Sequence, residues 1–223
     1  MKSESTDEYV ESLYKLGNEG TPATLKRLAT DLRLSPGAVC EKVRKLIKEG
    51  LASQDRKKEI TLTTEGNMRA IDIIRKHRLA EKFLVDVLGI PWDEVHEDAC
   101  RFEHILSDRV ADALEEFLKH PAYCPHGHPI PDRHGIIKQE KHLKLSELSS
   151  DDSAEVMKVA EHSPGLLQYL ATLGLIPHAR IHIDQVAPFN GAFLVKIGGA
   201  CYALGKEIAD NIWVRKIEEK AGA

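Results

Sequence analysis

The residues best suited to chemistry lie in one short stretch, Trp92–Asp108, with the sequence WDEVHEDACRFEHILSD. His96, Cys100, Glu103 and His104 stand at positions i, i+4, i+7 and i+8, which on an α-helix form one stripe about 100° wide. A thiolate, two imidazoles and a carboxylate suit a first-row divalent ion better than calcium or magnesium, which prefer oxygen ligands. The spacing therefore predicts a transition-metal site on one helix face.

A second set of potential ligands lies earlier, in the segment RKHRLAEKF. His77 and Glu81 stand at i and i+4, so they share one face of a helix. Such a pair alone is more often a surface salt bridge or hydrogen bond than a metal site. Six potential ligands on two consecutive helices, each set on a single face, favour metal binding over that structural interpretation.

The same residue types leave a metalloenzyme as an alternative, because histidine, glutamate and cysteine can hold a catalytic ion with an open coordination position. The sequence has no glycine-rich phosphate loop, no nucleophile elbow and no HExxH motif. A protein that only mediates interactions with other proteins is a third class, but this class would leave about the first 140 residues unexplained. Metal-dependent turnover would favour the enzyme, and metal-dependent DNA binding would favour a regulator.

A locally basic segment near the N-terminus indicates nucleic-acid binding. Between Thr24 and Lys58, ten lysines and arginines stand against four acidic residues, a local charge of +6 in a chain whose net charge is −4. Ser35 and Pro36 are typical of an N-cap and a first helical position, and a charged hairpin follows that helix. This order predicts a winged helix-turn-helix. A helical bundle with a solvated charged face is the alternative.

The helix that begins at Pro36 would present small or polar side chains to bases and lysines to phosphates. The predicted base-facing residues are Ser35, Pro36, Ala38 and Glu41. Glutamate at such a position can accept a hydrogen bond from cytosine. The predicted phosphate contacts are Lys42 and Lys45 on the helix and Arg56 and Lys57 on the wing.

Three blocks of the chain must position these side chains. Residues 1–66 are typical of three helices and a hairpin. Residues 67–142 predict two long helices, the second from about Trp92 to Lys119 with a possible break near Ser107, and then a proline- and glycine-rich loop. Residues 143–223 predict five short strands and one helix, Pro164–Leu173, which suggests a small barrel. The fold class is therefore mainly α with a C-terminal β barrel.

The segments RKHRLAEKF and VHEDACRFEH-x-x-SD closely resemble the diphtheria toxin repressor and iron-dependent regulator family, and the resemblance covers the whole chain. It implies a winged helix-turn-helix domain over 1–66, a helical metal-binding and dimerisation domain over 67–142, and an SH3-like, FeoA-type domain over 143–223. It also implies a homodimeric transcriptional repressor that binds a pseudo-palindromic double-stranded DNA operator when loaded with metal.

The resemblance also implies the ligands of two metal sites. The family's primary, regulatory site corresponds to Glu8, Cys100, Glu103 and His104. Its ancillary site corresponds to His77, Glu81, His96 and, by a weaker match, Glu161 from the last domain. Solvated loop residues are the preferred interpretation of Glu161 and the neighbouring His162. Substitutions at His77 or His96 are expected to weaken metal activation less than substitutions in the primary set.

The two positions that distinguish iron-type from manganese-type members of the family disagree in this chain. Glu8 stands where iron-type members have methionine and manganese-type members have aspartate, whereas Cys100 is the iron-type residue. Oxygen hardens a metal site and sulfur softens it. We therefore expect Fe(II) as the corepressor and Mn(II) as the alternative, with Zn(II), Co(II) or Ni(II) able to substitute in vitro.

The other three cysteines of the chain receive structural interpretations. The loop CPHGH, Cys124 to His128, could hold a zinc ion, but no second cysteine pair follows and four ligands cannot be assembled locally. A structured linker is therefore preferred. Cys40 is expected to pack within its helix, and Cys201, in a strand context, is expected in the core.

The second block carries more apolar positions than a two-helix unit can bury, which predicts a dimer through this block. These positions are Ile71, Ile74, Leu79, Phe83, Leu84, Leu88, Leu106, Leu114 and Phe117. No apolar run approaches the roughly 18 residues of a membrane span, and the start of the chain lacks a signal-peptide apolar stretch. A cytoplasmic protein with no membrane partner is therefore expected.

Overall fold

The N-terminal region is a helical unit with a small hairpin. The computed structural model describes residues 4–18, 20–138, 140–161, 164–189 and 191–217. It begins with three helices, α1 (Glu4–Asn18), α2 (Leu25–Asp31) and α3 (Pro36–Lys48), followed by the strands β1 (Ala52–Gln54) and β2 (Ile60–Leu62). The two strands pair antiparallel. This is the winged helix-turn-helix that the sequence predicts.

Local hydrogen bonding and apolar spacing explain where α3 begins and how it packs. Ser35 Oγ accepts a hydrogen bond from the backbone N–H of Ala38, as an N-cap does. Val39, Val43 and Leu46 are buried against the rest of the N-terminal core. Because these residues form one helical stripe, the opposite face of α3 is exposed.

The middle region consists of α4 (Thr64–Asp86), α5 (His96–Glu103) and α6 (Asp108–Phe117). The predicted helix after Trp92 is shorter at both ends, and the possible break near Ser107 is present and separates α5 from α6. Ser107 causes the interruption, because its hydroxyl accepts a hydrogen bond from Val110 N and caps α6 as a new helix. Even α4, at 23 residues, is not apolar enough to cross a membrane, and the same holds for every helix among the described residues.

The long helix α4 is the scaffold of the middle region. It packs against α1, α5 and α6, and its buried residues include several polar ones. A buried charge needs partners to offset its lost hydration. Arg75 illustrates this, since its guanidinium lies 2.7 Å from the carboxylate of Asp112 and 2.6 Å from that of Glu115 on α6.

The C-terminal region is an antiparallel sheet with two short helices. Its strands are β3 (Leu143–Lys144), β4 (Ser153–Val159), β5 (Arg180–Val186), β6 (Phe193–Ile197), β7 (Ala200–Leu204) and β8 (Ile212–Lys216), with α7 (Pro164–Leu173) and α8 (Lys206–Ala209) between them. Their spatial order is β3-β8-β4-β5-β6-β7. The sheet thus has six strands rather than five, and β3 and β7 form its edges, so the barrel is not closed.

The edge strand β7 corrects one sequence expectation. Cys201 lies on this strand and is exposed rather than part of the core. Only Leu204 of β7 is buried, because the strand has a neighbour on one side only. The core of the region is built instead from the inward-facing residues of the other strands and from Leu167, Leu170 and Leu175.

Candidate metal centre and nucleic-acid interface

Helices α4 and α5 bring one set of predicted ligands together. We call His77, His96, Cys100 and Glu103 the α5 group. The ligand atoms of His77, His96 and Cys100 all lie within 4.8 Å of one another. Cys100 Sγ is 3.7 Å from His96 Nε2 and 3.9 Å from His77 Nδ1, and His77 Nδ1 is 2.6 Å from Glu103 Oε2. The helical spacing seen in the sequence therefore converges in space, and it includes His77 from the preceding helix.

An acidic residue of α1 faces this group from the DNA-binding region. His104 Nε2 lies 3.6 Å from Glu103 Oε1, and His104 Nδ1 lies 3.7 Å from Asp7 Oδ2. Asp7 also forms an ion pair of 2.7 Å with Arg69. Glu8, which the family resemblance assigned to the primary site, is exposed. Asp7 is a residue that the sequence analysis did not single out, and the two adjacent carboxylates of Asp7 and Glu8 were the available signal; the assignment of Glu8 stays a prediction.

A second set of potential ligands is fully buried. We call Glu81, Cys124, His126 and Glu161 the buried group, because each is buried and their ligand atoms all lie within 4.8 Å of one another. The loop Cys124–His128 supplies only two of these ligands, in line with the expectation that four cannot be assembled locally, but the fold adds Glu81 and Glu161 from distant elements. Glu81 comes from α4 and Glu161 follows β4, so the ligands meet only in the folded chain. Glu161 is buried rather than solvated, and His162 lies outside the described residues.

Backbone contacts hold the loop of the buried group against β4. The carbonyl of His126 accepts a hydrogen bond from Val159 N, and His128 Nε2 donates one to the carbonyl of Val159. Gly127 has φ +85°, and a Cβ added there would lie 2.0 Å from the carbonyl oxygen of Met157. Only glycine allows this close approach. The C-terminal sheet therefore positions both the loop and Glu161.

Neighbouring charges set the protonation of the α5 group. Burial opposes a charge on the imidazoles, but Glu81, Cys100 and Glu103 raise the pKa of His77 well above its usual value. Despite burial, Cys100 and Glu81 raise the pKa of His96 to about 9. Burial would raise the pKa of Cys100, yet the two imidazoles lower it below the ordinary thiol value. The thiol is therefore prepared to ionise, as a metal ligand must.

The buried group has a similar balance. Burial opposes the charge of His126, but Cys124 and Glu81 raise its pKa to about 11. Burial also opposes the carboxylate of Glu161, whose pKa is nevertheless held well below its usual value by His128 and Lys15. Burial lowers the pKa of His128 to about 4, so Lys15 is the partner that carries a charge at neutral pH.

The residues present fit a divalent ion of the first transition row. Among the described residues, Glu81 Oε2, His96 Nδ1, His126 Nδ1 and Glu161 Oε2 are buried without a hydrogen bond. Such unsatisfied polar atoms are costly unless a ligand completes them. Nitrogen, sulfur and carboxylate oxygen form a mixed donor set that suits Fe, Mn, Zn or Co rather than calcium.

These pKa shifts predict that metal binding releases protons. At pH 7 the raised pKa values keep the imidazoles of His96 and His126 positively charged, and a histidine binds a metal only when it is neutral. We expect the affinity for Co(II) to rise between pH 6.5 and about 9, by up to about tenfold per pH unit for each proton released. Calorimetric titration in two buffers of different ionisation enthalpy counts these protons.

The same histidine links pH to the stability of the metal-free protein. The raised pKa of His96 means that its charged form stabilises the fold fully below pH 6.5, and this contribution is lost as the pH rises through about 9.

The control for the calorimetric proton count is His178→Gln, which changes an exposed histidine of the C-terminal region and should leave the number of released protons unchanged. A Co(II) affinity that is constant from pH 6.5 to 9 would contradict the assignment.

The predicted DNA-contacting residues are exposed, with one exception. The exposed ones are Ser35, Pro36, Ala38, Glu41 and Lys45 on or before α3, and Arg56 and Lys57 at the tip of the hairpin. Lys42 differs, because it is half-buried and its Nζ donates a hydrogen bond of 2.7 Å to Thr6 Oγ1 on α1. It stands next to the buried stripe of α3, so it joins α3 to α1 rather than pointing outward.

Comparison with known proteins decides the family. Residues 1–60 match the iron-dependent repressor N-terminal DNA-binding domain, residues 63–132 match the iron-dependent repressor metal-binding and dimerisation domain, and residues 143–216 match the FeoA domain. The chain is 32% identical over 229 residues to the iron-dependent repressor IdeR of Mycobacterium leprae (strain TN), covering 96% of this chain and 98% of that one. The chain belongs to the iron-dependent repressor family.

Two further relatives agree with this assignment. The repressor is 37% identical over 128 residues to the diphtheria toxin repressor of Corynebacterium jeikeium (strain K411), covering 57% of this chain and 53% of that one. A solved structure described as a manganese-dependent transcriptional repressor complex with manganese has a TM-score of 0.88 and 31% identity, covering 95% of this chain and 100% of that one. The family consists of metal-dependent transcriptional repressors, so the metalloenzyme alternative is set aside.

Proposed function

We propose that the chain represses transcription by binding a pseudo-palindromic DNA operator more tightly when a divalent metal is bound. The observation that carries this proposal is the contact across two regions, in which Asp7 of α1 lies 3.7 Å from His104 beside the α5 group. A ligand shared by these elements would fix the DNA-binding region relative to the middle region. Because the proposed operator is chromosomal DNA, we place this activity in the cytoplasm.

Cys100, Glu103, His104 and an acidic residue of α1 would hold the regulatory ion. When bound, the ion supplies positive charge that several carboxylates and a thiolate can share. Asp7 also pairs with Arg69 and Glu103 also pairs with His77, so without a shared ligand the contact between α1 and His104 would rest on one weak ion pair. The DNA-competent arrangement is then less populated, and the metal acts through its higher affinity for that arrangement.

Fe(II) is our first proposal for the physiological metal, with Mn(II) as the alternative. The Cys100 thiol, with its lowered pKa, favours Fe(II), the softer of the two ions. Asp7 or Glu8 contributes oxygen, which favours the harder one, and one structural relative is described as a complex with manganese. The test is a titration of binding to a DNA duplex from the promoter of its own gene with Fe(II), Mn(II), Zn(II), Co(II) and Ni(II). Binding that no metal strengthens would reject the proposal.

We propose a homodimer through the middle region, although not through all the residues that the sequence indicated. Ile74, Leu79, Leu84 and Leu106 are buried within the chain and are unavailable to a partner. The exposed apolar residues of this region include Val87, Leu88, Ile105, Val110 and Phe117. Exposed apolar side chains that adjoin one another mark interaction sites, and we propose that these residues form such a surface. A two-fold dimer would place two α3 helices in successive major grooves.

The DNA interface yields a prediction with an internal control. Lys45→Ala and Lys57→Ala are each expected to weaken binding to all sequences and to reduce the slope of log affinity against log salt by about one, because each removes a phosphate contact. Lys42→Ala should change the slope less, since Lys42 is tied to Thr6. Fluorescence anisotropy at several salt concentrations measures the slopes. A slope unchanged in Lys57→Ala would show that the wing does not contact phosphate.

A further inference from the structure

A lysine of α1 reaches the buried group from the DNA-binding region. Lys15 Nζ lies 3.2 Å from Glu161 Oε1 and 2.9 Å from Glu11 Oε1. About a third of the Lys15 side chain is exposed, whereas the side chain of Glu161 is 6% exposed. The pair therefore joins the first helix of the chain to the segment that follows β4 in the C-terminal region.

Lys15 supplies the charge that balances Glu161. The imidazole of His128 lies 3.6 Å from Glu161 Oε2, farther than the ammonium of Lys15, which lies 3.2 Å from Glu161 Oε1. Among the described residues, Lys15 is the lysine or arginine within ion-pair distance of Glu161. The second oxygen of Glu161 is buried without a hydrogen bond. One oxygen thus faces an ammonium, and the other has capacity for a further ligand.

Lys15 lies on the same face of α1 as Asp7, the acidic residue that contacts His104. Asp7, Glu11 and Lys15 stand at i, i+4 and i+8, so they share one face of α1. Asp7 lies against His104 at the α5 group, and Lys15 lies against Glu161 at the buried group. A single face of the first helix therefore carries an acid that contacts His104, beside the α5 group, and a base that contacts Glu161 of the buried group.

We propose that Lys15 holds Glu161 when the buried group lacks a metal and competes with a bound cation for that carboxylate. Lys15 thereby lowers the metal affinity of the buried group and couples its occupancy to α1. The inference rests on the proposed function, because it takes the buried group as a metal site. A divalent cation beside a fixed ammonium is repelled, and a carboxylate shared with a metal attracts the ammonium less. Occupancy would therefore loosen the link between α1 and the C-terminal region.

The test compares Lys15→Met, which removes the charge, with Lys15→Arg, which keeps it. Each variant is made in the full chain with Cys100→Ala, so that the thiolate-to-cobalt absorption band reports Cys124 at the buried group. We expect Lys15→Met to tighten Co(II) binding by at least about tenfold, since a unit charge near a divalent ion acts strongly at the effective dielectric of a protein. Lys15→Arg should stay near the parent, as should Lys26→Met, at an exposed lysine of α2.

A second measurement is made without metal. Removing Lys15 leaves Glu161 buried without its charged partner, so metal-free Lys15→Met should melt at a lower temperature than the parent, and Co(II) should restore the difference. Equal or weaker Co(II) binding in Lys15→Met would overturn the role of Lys15. If the parent itself shows no thiolate band, the buried group is not a metal site and this inference falls. The regulatory α5 group is tested separately, through metal-stimulated DNA binding by the chain that retains Cys100.

Discussion

Replacing Cys100 with alanine is expected to abolish metal-stimulated DNA binding while leaving the protein folded. Cys100 is the thiol of the α5 group, and its lowered pKa prepares it to bind a metal as thiolate. Loss of a direct ligand removes more affinity than the roughly 10- to 100-fold that outer-sphere substitutions cost. We therefore expect the metal concentration for half-maximal operator binding to rise by more than about 100-fold. Glu103→Ala and His104→Ala should behave alike.

The matched control for this experiment is Cys124→Ala. It removes the same chemical group from the buried group instead of the α5 group, and Cys124 is the cysteine whose pKa burial raises. Its metal response should weaken less than that of Cys100→Ala. His77 is a poorer control, because its ring contacts Glu103 on one side and Glu81 on the other. A normal metal response in Cys100→Ala would reject the regulatory role of the α5 group.

Replacing Phe117 with lysine is expected to give a monomer and to weaken operator binding by at least about 100-fold. Phe117 is 62% exposed at the end of α6 and contacts Phe83 edge to face, so it belongs to the exposed apolar surface of the middle region. In a dimer, a lysine at that surface would lose its hydration without gaining an oppositely charged partner. Two linked DNA-binding regions exceed the affinity of one by about 10²–10⁴-fold, and a monomer forfeits that gain.

The control variant is Phe189→Lys, which changes the same residue type at a fully exposed position between β5 and β6. It should remain dimeric and bind DNA as the unmodified chain does. Light scattering at micromolar concentration, with and without metal, gives the mass, and melting curves confirm that both variants fold. A dimeric Phe117→Lys with normal DNA affinity would place the interface on another surface.

Features that depend on short-range spacing could be predicted from the sequence. The N-cap at Ser35 marked the start of α3, and the spacing from His96 to His104 predicted that four potential ligands share one helix face. The sequence placed the break before α6 near Ser107, but only as a possibility, because the apolar pattern continues through Ser107 while the hydroxyl caps a new helix. Helical periodicity alone does not distinguish a kinked helix from two helices.

Features that depend on contacts between distant segments could not be predicted. Glu81, Cys124 and Glu161 come from three separate elements, and no spacing within the sequence shows that they meet. The choice between Asp7 and Glu8 depends on how α1 is rotated against α5, which the sequence does not determine. Lys42 looks like a phosphate contact in the sequence, but its position beside the buried stripe of α3 directs it to Thr6.

The most direct test of the account is the metal affinity of the full chain measured with and without DNA. If metal and operator favour the same arrangement of α1 against the α5 group, each must raise the affinity for the other by the same factor. The account predicts that a promoter duplex tightens Mn(II) or Co(II) binding by the factor by which that metal tightens DNA binding, tenfold corresponding to about 1.4 kcal/mol. The same metal affinity with and without the duplex would contradict it.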